Sequence, residues 1–177
     1  MMDYLKGSKT AWFWTIIRVW FGIQWIEAGW HKLTGATPFS AESFIKGAIA
    51  KSVPATAGAK PIVADWWASF LKGFALPNIK MFNFLVMYGE ILVGLALIFG
   101  FVTIFAATMG ALMNFAFLMS GSTSSNPWNF AISFIFVLVG GKVMGYYGVD
   151  YFLMPKAKAW IAERLARFTG GKVKSAV

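Results

Sequence analysis

Charged side chains interrupt stretches of this chain that otherwise read as membrane-spanning helices. The run from Trp12 to Leu33 is apolar apart from Thr15, Arg18, Gln24, Glu27, His31 and Lys32, and the run from Ile79 to Phe99 is broken only by Lys80, Asn83 and Glu90. A charged group at mid-bilayer costs several kcal/mol, so it persists only where it is paired or has a task. Composition agrees with a membrane setting. Of the 177 residues 58% are apolar and only 13% charged, about half the charged fraction of a soluble domain.

Crossing the ~30 Å hydrocarbon core takes ~20 helical residues. Four segments qualify: about 12–33, 79–99, 102–120 and 128–148. The expected fold is therefore an all-α integral membrane four-helix bundle, with residues 1–177 forming a single transmembrane domain. The second and third helices meet around Gly100 with almost no connector, which makes them antiparallel neighbours. Gly121 to Pro127 is turn-rich, and Pro127 suits the first turn of the fourth helix. The N-terminal apolar stretch contains Arg18 and lacks a small-residue cleavage site, so it is expected to stay as a first helix.

The net charge of +9 is uneven. The tail at 155–177 carries Lys156, Lys158, Arg164, Arg167, Lys172 and Lys174 against Glu163 alone, and the N-terminal tail carries Lys6 and Lys9. An even number of spans places both termini on one side. The positive-inside rule makes that side cytoplasmic in a multi-pass protein of the cell membrane. The basic tail suits anionic lipid headgroups rather than nucleic acid, since no nucleic-acid motif accompanies it.

The first extramembrane loop, 34–78, is too long to be a plain connector. Ser40 to Lys51 places Phe44, Ile45, Ala48 and Ile49 on one stripe. Pro61 to Ala75 does so with Val63, Trp66, Trp67, Phe70, Leu71 and Phe74. Both pieces are expected as short amphipathic interfacial helices, forming an outer lid or a simple headgroup anchor. Residues 156–168 form a third such piece, with Trp160, Ile161, Leu165 and Phe168 toward lipid.

At 100° per residue the first helix shows two polar stripes. One carries Arg18, Gly22, Trp25, Gly29 and Lys32, the other Trp20, Gln24, Glu27 and His31. Asn83, Met87, Glu90, Gly94 and Leu97 share a face of the second helix; Thr103, Ala107, Gly110, Asn114 and Gly121 do so on the third. Small-plus-polar seams of this kind belong inside a bundle. Depth counted from the inner helix ends pairs Arg18 with Glu90. Glu27 and His31, four residues apart, can share a proton. Lys142 reads as a snorkelling anchor partnered by Asp150. The chain has no cysteine and one histidine, which argues against thiol chemistry, disulfides and metal or haem centres.

Arg18, Gly22, Ala28, Gly29 and Lys32 in the first helix resemble the signature of the DoxX/DoxD membrane proteins. Glu90 with Gly94 and Gly100 resembles their second-helix pattern. Asn114 is similar to a recurring third-helix asparagine, and Gly148, Asp150 and Pro155 resemble the segment closing the fourth helix. The long first loop looks more like the DoxD branch. The resemblance implies quinone-linked redox metabolism, with thiosulfate oxidised to tetrathionate and the electrons passed to membrane quinone. It also implies membrane lipid and quinone as partners, often a second, DoxA-like small subunit, whether fused or separate, and quinone as acceptor without metal, haem or flavin.

Under that reading Arg18, Glu27, His31 and Glu90 are the candidate catalytic residues. Lys32, Asn83, Asn114 and Gln24 are candidates to bind a small dianion. Trp20, Trp25 and Trp30, with Phe115, are candidate walls for a quinone ring. Two other functions fit the same residues: a non-catalytic anchor or assembly partner of a redox complex, and a small-anion or lipid carrier. Four helices without evident repeats make a carrier only as a homo-oligomer.

Overall fold

A computed structural model describes residues 7–54, 56, 58–139 and 141–169, without the side chains at 139, 141, 142, 168 and 169. Expectations for Lys6, Lys142, Phe168, Lys172 and Lys174 fall outside the described groups. The described chain is all-helical. A 3-10 turn, Ser8–Thr10, leads into α1, Ala11–Thr34. Next come α2, Glu42–Ala50, and α3, Asp65–Phe70, which runs on into a π turn, Leu71–Ala75. The remaining elements are α4 (Ile79–Phe99), α5 (Thr103–Met119), α6 (Asn126–Val139), α7 (Gly141–Met144) and α8 (Val149–Thr169).

α1 packs along α4, and α5 along α6. One core joins them: Trp14, Phe21 and Trp25 of α1 meet Val93 and Leu97 of α4, Ala106 and Ala107 of α5, and Phe136 of α6. The close approach of α1 to α4 rests on glycine. A Cβ on Gly22 would come within 2.8 Å of the Gly94 carbonyl oxygen, and one on Gly29 within 2.9 Å of the Met87 carbonyl oxygen. The small-residue seams read from the sequence face inward as expected. Arg18, Gly22, Trp25 and Gly29 are buried, as are Glu90, Gly94, Leu97, Thr103, Ala107, Gly110 and Asn114.

The outer faces are apolar. Ile16 and Trp20 on α1, Phe84 and Leu92 on α4, Phe105 and Leu112 on α5, and Trp128 and Leu138 on α6 are exposed. Of the described helices only α4 is both long and apolar enough to cross a bilayer by itself; Thr103–Met119 and Asn126–Leu138 are shorter apolar helices. The expected fourth segment, 128–148, is occupied by α6 and α7, and residue 140, which lies between them, is outside the described residues.

The loop after α1 folds back as a lid with its own small core of Ala41, Ile45, Ala48, Leu71 and Ala75. Three hydrogen bonds among the described residues tie it to the bundle. The Ala41 backbone N–H donates to Asn83 Oδ1 at 2.8 Å, Trp67 Nε1 donates to Ser120 Oγ at 2.9 Å, and Lys51 Nζ donates to the Gly121 carbonyl at 2.8 Å. Of the expected stripe on 61–75, Val63 and Leu71 are buried, while Trp66, Phe70 and Phe74 are exposed.

Asp150 lies in the first turn of α8, and that 21-residue helix continues through Pro155 and takes in the piece expected at 156–168. Trp160, Ile161 and Leu165 are exposed on it.

Candidate functional site

α1 and α4 run antiparallel, and their register decides which charges meet. Gly22 lies against Gly94 and Ile98, and Gly29 against Met87 and Ile91. On that register Arg18 is level with Gly100, and Glu90 is level with Ala28. Ten residues of α1 separate these levels, about 15 Å at 1.5 Å per residue. Side chains lean toward the N-terminus of their own helix. Arg18 and Glu90 therefore lean apart, while Lys32 and Glu90 lean together.

The expected Arg18–Glu90 pair is accordingly not formed. Lys32 Nζ donates to both carboxylate oxygens of Glu90, at 2.7 and 2.9 Å, and more weakly to the Ala28 carbonyl at 3.3 Å. The Glu90 side chain is 4% exposed and that of Lys32 27%. The depth estimate failed because it set the two inner helix ends level. In fact α1 begins well below the end of α4.

The Lys32–Glu90 pair lies in the wall of a cavity of about 310 Å³. α1 contributes Gln24, Trp25 and Lys32, α4 contributes Glu90, and α5 contributes Asn114. The turn before α6 and its first residues close the chamber with Ser122, Ser124, Ser125, Asn126 and Asn129. Asn114 Nδ2 donates to the Gly110 carbonyl at 2.9 Å, one turn back on its own helix. The Trp25 indole packs over Gly110, where a Cβ would come within 3.0 Å of it. Trp25 is 5% exposed, and its Nε1–H is buried without an acceptor. A buried donor with no acceptor among the described residues costs about 1–3 kcal/mol.

A second cavity, about 670 Å³ and more open, adjoins the first through Ala28, Lys32 and Phe39. His31, Thr37, Ser40 and Ser43 also line it. Lys32 thus stands between a polar vestibule and the chamber, with its ammonium 5.8 Å from the Phe39 ring centroid.

The structure brings Gln24, Trp25, Lys32, Glu90 and Asn114 together. The other sequence candidates lie elsewhere. Glu27 is exposed, and so are His31, Trp20 and Trp30. Glu27 and His31 share no hydrogen bond among the described residues. Asn83 uses its Oδ1 to hold the lid. Phe115 is exposed beside Phe130.

Arg18 is 1% exposed at the other end of the α1–α4 interface. Its Nη2 donates to the Tyr147 carbonyl at 3.2 Å, its Nη1 packs against Gly100, and Asp150 acts on it through space. Asp150 is otherwise occupied. Its carboxylate accepts the Val102 and Thr103 N–H groups, both at 2.7 Å, at the start of α5. Sequence reading missed Asn129, Asn126 and the serines of the turn. Their only signal was a polar cluster, which any exposed turn also shows.

These features define a class before a family: among the described residues, an all-helical, apolar-sheathed protein with a buried ion pair in the wall of a polar chamber. The profile of one family, described as the TQO small subunit DoxD, matches residues 13–174. The chain belongs to the DoxD family, which is membrane-associated. Searches of curated proteins and of solved structures return no significant match.

Proposed function

We propose that this protein is a multi-pass membrane subunit of a thiosulfate:quinone oxidoreductase-type complex, and that its polar chamber holds the quinone ring while it is reduced. α1, α4, α5 and α6–α7 serve as the four spanning segments. Their outer faces carry far more contiguous apolar surface than water tolerates. Both tails then lie on the cytoplasmic side, where their lysines and arginines meet anionic lipid.

The observation that carries this reading is the Lys32–Glu90 pair in the wall of the chamber. A quinone accepts two electrons and two protons to become a quinol. Coupling two thiosulfate dianions through a new S–S bond gives tetrathionate, releasing two electrons and no protons. The protons must come from elsewhere, and Lys32 and Glu90 are the titratable groups placed to pass them. Asn129, in the chamber wall, supplies an amide donor for a ring oxygen. The vestibule offers the dianion hydrogen-bond donors in His31, Thr37, Ser40 and Ser43. Arg18, buried against Gly100, has no part in that approach.

The test is quinone reduction by the purified complex with thiosulfate and decylubiquinone. Lys32→Met paired with Glu90→Gln removes both proton carriers together. Turnover is expected to fall about 100-fold while subunits stay associated. Undiminished turnover in a folded double variant overturns the proposed role. An intact complex whose activity ignores the chamber altogether makes the chain an anchor.

A further inference from the structure

The chamber has a neighbour of opposite chemistry. A groove of about 890 Å³ runs between α4 and α5 beneath the lid, and its lining is almost wholly apolar. Leu92, Phe105 and Leu112 border it, and all three are exposed. On the topology proposed above, the groove opens toward hydrocarbon. The groove and the chamber share one wall, made of Ala41, Phe44, Val86 and Phe117. Phe44 and Phe117 meet edge to face at 5.8 Å between ring centroids. Phe44 belongs to the lid helix α2, which the Ala41–Asn83 hydrogen bond fixes to α4.

We propose that this groove is the membrane-side portal of the chamber. A lipid-soluble quinone lies with its ring in the chamber and its apolar tail in the groove, passing the Phe44–Phe117 partition. This rests on the reading of the chamber as a quinone site. A plain acyl chain satisfies the groove but makes no use of the polar chamber wall, with Asn129 and the Lys32–Glu90 pair. A small anion uses the chamber but not the groove. A ring with polar oxygens and an apolar tail uses both, and the shared wall is where the two parts join.

Gly89 marks the groove floor beside Glu90. A Cβ there would meet only the flexible end of Met113, at 3.5 Å. Gly89→Leu therefore fills groove space next to the ion pair without touching it.

The experiment uses the purified protein with any subunit that accompanies it. A photoreactive azidoquinone with a decyl tail is cross-linked to wild type and mapped by mass spectrometry. Binding of decylubiquinone and of its tail-less ring is then measured in wild type and Gly89→Leu. Expected are adducts on α4, α5 and the Phe44 segment. Gly89→Leu is expected to weaken the tailed quinone about tenfold, close to 1.4 kcal/mol, and to leave the tail-less ring unchanged. Adducts confined to the outer face of α1 or α6, or equal weakening of both quinones, overturn the portal while the chamber reading stands. Failure of wild type to bind either quinone overturns both. The wild-type labelling decides the matter even if the variant does not fold.

Discussion

The α1–α4 interface buries a charge at each end, and the two ends are built differently. At the lid end Lys32 and Glu90 bond directly at 2.7 Å beside an open chamber. At the other end Arg18 is packed against glycine. A Cβ on Gly148 would come within 2.8 Å of the Gly100 Cα, and one on Gly100 would strike Arg18 Nη1. Asp150 answers the arginine only through space and is engaged in capping α5. The contrast separates a buried charge with room for a ligand beside it from one that is packed on all sides. The Arg18 end has the marks of a joint between α1, α4, α5 and α8. It even holds a valine in left-handed backbone, Val102 at φ 43°, a conformation that persists only where its surroundings enforce it.

The sharpest way to break this contrast is at the joint. Gly100 sits at φ 64° against the guanidinium. Gly100→Ala combines a left-handed alanine with overpacking, and should destabilise the protein by about 3 kcal/mol or more. Thermal unfolding in detergent measures it, and a loss below about 1 kcal/mol would mean the joint is loose.

A double-mutant cycle compares the ends directly. Lys32→Met and Glu90→Gln should couple by about 2 kcal/mol, because either single change leaves a buried partner unpaired. Arg18→Gln and Glu90→Gln, on side chains about 15 Å apart along the helix, should add within about 0.5 kcal/mol. Coupling in the second pair and not in the first would restore the pairing counted from helix ends.

Two smaller changes sharpen the picture. Asn129→Ala, in the chamber wall, should weaken ring binding about tenfold in equilibrium titration and leave the melting temperature nearly unchanged. Trp66→Ala, on an exposed position of the lid, should change stability by less than about 0.5 kcal/mol.

Much of the helical layout was readable because long apolar runs and small-residue seams are local patterns. Gly22, Gly29, Gly94 and Gly110 announced where helices come close, and each does meet a neighbour there. Glu90 and Asn114 stood out as polar groups on inward seams, and both are buried. The second polar stripe of α1 is divided: Gln24 lines the chamber and His31 the vestibule, while Glu27 is exposed. Glu27 and His31 are as conspicuous in the sequence as Lys32, yet the face against α4 belongs to the glycine stripe. Periodicity gives the stripes of a helix without saying which one a neighbour covers.

The sequence by itself determined that the chain is helical and apolar, which faces could pack, and that Arg18, Lys32 and Glu90 needed explaining. These follow from the 3.6-residue repeat and from the expense of charge in hydrocarbon. Only the tertiary structure decided that Glu90 meets Lys32 rather than Arg18, and that the turn before α6 completes a chamber. Partner choice depends on the relative slide of two antiparallel helices, and on side chains leaning toward opposite ends. Neither quantity is encoded in any one helix.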